Sequence, residues 1–89
     1  MTVCKHVTYT GRVQGVGFRW TARQVAEGFA VGGYVRNLPN GAVDLVVEGA
    51  ADQVEAYLAA LARQMAGYIE QTAVCDEPAQ GFADFRIRH

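Results

Sequence analysis

Residues 11–19, GRVQGVGFR, separate two different hydrophobic patterns. The apolar residues before this stretch share one parity, as in a strand with one buried face: Val3, Val7, Tyr9 and Val13. The apolar residues after its start recur at helical spacing: Phe18, Ala22, Val25, Ala26 and Phe29. The chain is therefore predicted to begin with a strand and a helix joined by a glycine-rich loop, with Gly28 ending the helix in a left-handed turn.

The pattern changes again several times in the rest of the chain. A second strand over about residues 33–38 is followed by the turn-forming run Pro39-Asn40-Gly41 and by a third strand that Gly49 is predicted to end. Asp52 and Glu55 have capping-box spacing at the start of a second helix. A strand over about 69–76, a loop and a short strand carrying Phe85 and Ile87 complete the chain.

This order of elements, β-α-β-β-α-β with a short extra strand, is that of the ferredoxin-like α+β sandwich. We expect two helices on one face of a four- to five-stranded, mostly antiparallel sheet. The length of 89 residues suits one domain, so residues 1–89 are predicted to form a single domain.

Composition and charge exclude several classes of function. Hydrophobic residues make up 51% of the chain and the net charge is −1, so bulk attraction to nucleic acid or to an anionic membrane is not expected. The sequence holds no apolar run of the roughly 20 residues that cross a bilayer and no secretion signal. Cys4 and Cys75 lie far apart, which favours a reducing cytoplasm, and the histidines and cysteines show no metal-ligand spacing.

The glycine loop, which we define as residues 15–19, has the character of an anion site. Gly15 and Gly17 let backbone N–H groups turn into one concavity beside the start of a helix, an arrangement that attracts phosphate. Arg19 then stands at the positive end of the helix dipole, where a cation is unfavourable unless an anion lies beside it. The alternative is a solvent-facing arginine beside an ordinary glycine turn, a common chance pattern.

Asn37, at the end of the second strand, is the candidate partner of this loop. In the predicted topology the first and second strands are parallel with the third between them, so their C-terminal ends lie roughly 10 Å apart. The Asn37 carboxamide could donate to a phosphate oxygen and hold a water molecule in line. Alternatively, Asn37 merely starts the turn.

Taken together, GRVQGVGFR followed by GYVRNLPNG closely resembles the signatures of the acylphosphatase family, and ARQVAEGFAVGG and the closing FRIRH are similar to it too. The resemblance implies hydrolysis of acyl phosphates to a carboxylate and inorganic phosphate, without metal or cofactor. It implies that Arg19 binds phosphate, that Asn37 orients the attacking water, and that a backbone cradle forms a phosphate-binding loop. That loop comprises Gly15, Val16, Gly17, Phe18 and Arg19. The expected protein is a cytoplasmic monomer that acts on a small molecule.

Some positions depart from the commonest family pattern. Leu38 stands where a small hydroxyl residue is frequent in the family, and Pro39-Asn40 lies in a turn that often ends in Asp-Gly. His89 stands where an aromatic residue is usual. Among the remaining residues, Arg23 is predicted to face outward from its helix, Trp20 to pack or flank that helix, and His89 to lie at a mobile terminus.

Two other functions fit the same architecture. An RNA-binding module would need paired aromatic residues on the open sheet face, but the parity predicted to be exposed carries Thr8, Thr10, Asp44 and Glu48. A non-catalytic module that binds phosphate or carbamoyl phosphate is the stronger alternative to the enzyme.

Overall fold

A computed structural model describes residues 1–89 and contains seven elements. They are β1 (Thr2–Gly11), α1 (Phe18–Ala26), β2 (Val31–Asn37), β3 (Val43–Ala50), α2 (Ala51–Gln64), β4 (Ile69–Glu77) and β5 (Phe85–Ile87). The strands form one sheet in the order β4-β1-β3-β2-β5. Only the β2–β5 pair is parallel, so the predicted ferredoxin-like sandwich is confirmed.

The hydrophobic core lies between the two helices and one face of the sheet. Alternate residues of β1 and β3 supply its floor and the apolar stripes of α1 and α2 supply its cover. The Tyr57 hydroxyl on α2 donates to the Ala22 carbonyl oxygen on α1 at 2.9 Å, which joins the helices. Neither helix is long and apolar enough to span a membrane.

The ends of several elements differ from the sequence-based expectations. The N-cap of α2 is Ala50, with no side-chain cap, so the capping box expected at Asp52 and Glu55 is not formed. Gly28 does not adopt a positive φ, and α1 ends at Ala26. Gly49 lies inside β3, where a Cβ atom would come within 2.7 Å of the Ala30 carbonyl oxygen. This glycine therefore permits a close backbone approach and does not end the strand.

The opposite face of the sheet is partly covered by the segment that joins its two edge strands. This crossing loop, residues 78–84, runs from β4 to β5, which lie at opposite edges. Its Phe82 ring packs edge-on against Tyr34 of β2 with 6.0 Å between ring centroids. The Glu48 carboxylate on β3 accepts hydrogen bonds from the backbone N–H groups of Gln80, of Gly81 at 2.9 Å and of Phe82 at 3.3 Å.

Two acidic residues on this face were expected to be exposed, and they are buried. Asp44 is only 3% exposed because it is paired with both His6 and Arg36. Glu48 is only 9% exposed because the crossing loop covers it. The alternation of polar and apolar residues identified the face correctly, but it carried no information about the segment that covers it.

Candidate active site

A cavity of about 470 Å³ opens at the edge of the sheet where β2 ends and α1 begins. Because β1 and β2 are both antiparallel to β3, they run parallel to each other, as expected. The loop after β1 therefore faces the end of β2. The lining residues are Val13, Gly15, Gly17, Phe18, Arg19, Trp20, Arg23, Asn37, Ile87 and His89.

Two glycines shape the wall of this cavity. Gly15 and Gly17 have φ values of 75° and 77°, in the left-handed region that disfavours other residues. Gly17 is the N-cap of α1; no side chain caps this helix end, and its first turn holds no acidic residue. Because the first N–H groups of a helix have no intrahelical partner, this end of α1 offers donors to an anion.

The two apolar residues of the glycine loop, Val16 and Phe18, attach it to the core. Phe18 is buried, with its ring centroid 4.9 Å from that of Tyr9 on β1. Val16 is half-buried against the core and does not line the cavity. The apolar side chains thus attach the loop to the core, while the glycines leave its backbone accessible from the cavity.

Arg19 extends along the cavity wall toward the end of the chain. Its Nη1 atom lies 3.4 Å from the Arg88 carbonyl oxygen and 3.2 Å from His89 Nδ1. The five ion pairs of the structure all involve other residues. The guanidinium charge is therefore held at the cavity without a carboxylate to neutralise it.

Asn37 is the last residue of β2 and is half-buried on the same cavity wall. It lies opposite Val43 in the β2–β3 ladder. Its position is therefore set by its pairing in the sheet. The structure brings Asn37 together with Gly15, Gly17, Phe18 and Arg19 around one cavity.

Gln14 links the two halves of the site, a role that the sequence analysis missed. Its Nε2 atom donates to the carbonyl oxygens of Leu38 and Ala42, each at 2.8 Å. These carbonyls flank the β2–β3 turn, where Asn40 Oδ1 also accepts from the Ala42 N–H at 3.0 Å. The glycine loop and the turn after Asn37 are thus joined by one side chain. The signal in the sequence was a polar side chain, Gln14, in an otherwise apolar and glycine-rich stretch, which indicates a hydrogen-bonding role.

Three further residues line the cavity against expectation. His89 reaches it because β5 runs parallel beside β2 and delivers residues 87–89 to the same sheet edge. Arg23 is exposed on α1, as predicted, and it also lines the cavity. Trp20, which was predicted to pack or to flank the helix, is 63% exposed and therefore flanks it at the cavity. The spacing of Arg19 and Arg23, four residues apart on a helix, was a signal that these two share a face.

The other histidine, His6, forms ion pairs on the opposite face of the sheet and does not line the cavity. His6 pairs through Nε2 with Asp44, and its Nδ1 atom is 3.1 Å from Glu77 Oε1. No group of three or more histidine, cysteine, aspartate or glutamate residues has the geometry of a metal site.

Known proteins with similar sequences and structures share one description. A family model described as Acylphosphatase matches residues 5–87. The chain is 47% identical to an acylphosphatase of Syntrophus aciditrophicus over 85 residues, which span 92% of this chain and 88% of that protein. An acylphosphatase structure from Coxiella burnetii superposes with a TM-score of 0.86 at 32% identity, covering 98% of this chain and 93% of that one.

A larger protein also contains this fold. The structure of HypF from T. kodakarensis matches with a TM-score of 0.85 at 29% identity, covering 98% of this chain but only 12% of that chain. The acylphosphatase match, by contrast, spans almost the full length of both partners. On the family match over residues 5–87 and these similarities, the chain belongs to the acylphosphatase family.

Proposed function

We propose that this protein hydrolyses acyl phosphates, cleaving the carboxyl–phosphate bond to release a carboxylate and inorganic phosphate. Membership of the acylphosphatase family supports this activity. The observation that carries the proposal is the composition of the cavity, in which an unpaired guanidinium, an uncapped helix start and a carboxamide share one space.

Phosphate binding is assigned to the glycine loop. The N–H groups of residues 15–19 and the start of α1 surround the phosphoryl oxygens, and the Arg19 guanidinium adds charge-assisted hydrogen bonds. Arginine keeps its charge at any working pH, and its planar fork matches two phosphate oxygens. When substrate binds, Arg19 exchanges its contacts with Arg88 and His89 for contacts with the phosphoryl group.

Water activation is assigned to Asn37. Its carboxamide holds a water molecule on the side of the phosphorus opposite the departing carboxylate, and the substrate phosphate itself takes the proton of that water. Positioning and charge stabilisation supply most of the catalysis in phosphoryl transfer. A carboxylate leaves without needing a general acid. The proposed reaction is a direct attack of water on phosphorus, with no covalent intermediate, metal ion or cofactor.

We propose further that the protein acts as a monomer in the cytoplasm on a small-molecule substrate. Both cysteines are free thiols, as is usual in a reducing compartment.

The test is hydrolysis of benzoyl phosphate in excess chelator by wild type, Arg19→Ala, Asn37→Ala and the control Arg63→Ala. Arg63 is an exposed arginine in the last turn of α2. Loss of Arg19 is expected to lower kcat/KM at least about 100-fold and to weaken inhibition by inorganic phosphate, because charged hydrogen bonds are worth roughly 1.5–3 kcal/mol each. Loss of Asn37 is expected to lower kcat about 100-fold with little change in phosphate affinity. Full activity of both variants would overturn the assignment.

The alternative is a non-catalytic module that binds phosphate or carbamoyl phosphate. It is favoured by the likeness to a segment that makes up 12% of HypF. Calorimetry with inorganic phosphate and with carbamoyl phosphate, beside the turnover assay, separates the two functions. Binding that depends on Arg19, with no benzoyl phosphate hydrolysis by wild type, would establish the module.

A further inference from the structure

The cavity is larger than the phosphoryl group requires. Cavities of about 300–1,000 Å³ hold whole small-molecule ligands, and this one measures about 470 Å³. The glycine loop, Arg19 and Asn37 occupy one part of its wall. The remaining lining residues are Val13, Trp20, Arg23, Ile87 and His89. Of these, Trp20, Arg23 and Ile87 are the side chains that we assign to the acyl group of a bound substrate.

The ionisable side chains that line the cavity are all basic. The chain as a whole carries nine acidic residues against eight lysines and arginines. The cavity, however, is lined by Arg19, Arg23 and His89 and by no acidic residue. The permanent side-chain charge of the cavity is that of the two arginines.

Arg23 supplies a second cation beyond the one assigned to phosphate. It follows Arg19 by four residues on α1, so the two Cα atoms are roughly 6 Å apart along the helix axis on the same face. Like charges at this spacing destabilise a helix slightly, and neither guanidinium has a carboxylate partner. The pair is therefore suited to a ligand that carries two separated negative charges.

Two acidic residues share a second depression with Arg23, and neither forms an ion pair with it. Arg23 also borders a neighbouring depression lined by Glu27 and Asp84. Asp84 instead pairs with Arg86, with 2.9 Å between Arg86 Nε and Asp84 Oδ1, and Glu27 forms no ion pair. The Arg23 guanidinium remains free to meet an anion from the cavity side.

From this arrangement we propose that Arg23 makes the enzyme selective for acyl phosphates whose acyl group bears a second anionic group. The inference rests on the proposed acyl phosphate hydrolysis. The phosphoryl group binds at the glycine loop and Arg19, the carbon skeleton lies against Trp20 and Ile87, and the second anion reaches Arg23. Arg23 is a specificity residue and does not touch the reacting phosphorus.

The experiment compares 3- and 4-carboxybenzoyl phosphate with benzoyl phosphate, as substrates of wild type, Arg23→Gln, Arg23→Lys and the control Arg63→Gln. The readout is the ratio of kcat/KM for each charged substrate to kcat/KM for benzoyl phosphate. Because every enzyme meets the same substrates, differences in their intrinsic reactivity cancel between variants. Circular dichroism and thermal melting verify that each variant is folded.

Arg23→Gln is expected to lower the ratio about two- to five-fold for at least one charged substrate, the range of a solvent-accessible ion pair. Arg23→Lys retains most of the preference, Arg63→Gln leaves it unchanged, and 0.5 M salt reduces it in wild type by screening. Equal loss of activity on all three substrates in Arg23→Gln, or a ratio unaffected by the substitution, overturns the inference. Failure of wild type to hydrolyse benzoyl phosphate overturns the proposed function itself, so the two failures are distinct.

Discussion

Replacing Glu48 with glutamine tests how the crossing loop is held on the sheet. The Glu48 carboxylate is buried and accepts from three successive backbone N–H groups of that loop, those of Gln80, Gly81 and Phe82. Glutamine has nearly the same shape, but it has one carbonyl oxygen and no charge. Its NH2 group must face an N–H donor of the loop.

The expected loss of stability follows from these contacts. A hydrogen bond to a charged group contributes roughly 1.5–3 kcal/mol, and a neutral one about half as much. Because the amide oxygen of glutamine keeps part of the pattern, we expect Glu48→Gln to lower the free energy of unfolding by about 2 kcal/mol at pH 7. In a domain of this size, that corresponds to a fall in Tm of roughly 8–16 °C.

The effect of pH on this difference has a definite sign. The hydrogen bond from the Gln80 backbone N–H, with those of Gly81 and Phe82, lowers the pKa of Glu48 below its ordinary value of 4.5, although burial opposes the shift. The stabilisation is therefore complete above pH 4.5 and is lost as the pH falls through the lowered pKa of the folded state. Glutamine does not titrate, so the gap between wild type and variant narrows at acid pH.

Urea unfolding of wild type, Glu48→Gln and the control Glu55→Gln at pH values from 7 down to 3.5 provides the measurement. Glu55 is an exposed residue of α2, and its replacement is expected to change stability by less than about 0.5 kcal/mol. The reasoning is refuted if Glu48→Gln is as stable as the control at pH 7, or if its deficit grows toward acid pH.

Two further predictions concern a cysteine and a glycine. Cys4 is buried, and burial together with the nearby Glu48 and Glu77 carboxylates raises the pKa of its thiol. Iodoacetamide at pH 8 should therefore add one group, at the exposed Cys75, in the native protein and two groups in denaturant; two adducts at equal rates in the native protein would contradict this. Gly33→Ala should destabilise the fold by about 3 kcal/mol or more, because a Cβ atom would lie 1.9 Å from the Val46 carbonyl oxygen at a φ of 142°. Gly67→Ala, with no atom within 4 Å of the new Cβ, is the matched control in thermal melting, and equal Tm values for the two variants would exclude the clash.

Much of the fold could be predicted from the sequence because its elements have strong periodic patterns. The alternation around Val7 and Tyr9 and the stripe from Phe18 identify a strand and a helix without tertiary information. Helix ends were less predictable: Gly28 and the Asp52–Glu55 spacing resembled cap signals, yet neither forms a cap. Most of the stability of a helix in a protein comes from the packing of its apolar face. A cap contributes less free energy than that packing, so a cap signal alone does not determine where a helix ends.

The candidate site could be predicted only in part, and for a similar reason. The glycine loop and Asn37 are local motifs at the ends of strands whose parallel course follows from the topology. The hydrogen bonds from Gln14 to the β2–β3 turn and the position of His89 beside β2 depend on contacts between segments distant in the chain, which spacing alone does not reveal. Asp44 and Glu48 were placed on the correct face, but their burial depends on Arg36 and the crossing loop.

The crossing loop connects the face opposite the helices to the candidate active site. It leads into β5, a strand of three residues that pairs only with β2, and β5 in turn supplies Ile87 and precedes His89 at the cavity. The anchor at Glu48 and the candidate site therefore lie at the two ends of one short stretch of chain. Protonation of this anchor should free the stretch of chain that ends at the candidate site, and a loss of activity through it is expected only below the ordinary carboxyl pKa of 4.5, because the pKa of Glu48 is lowered.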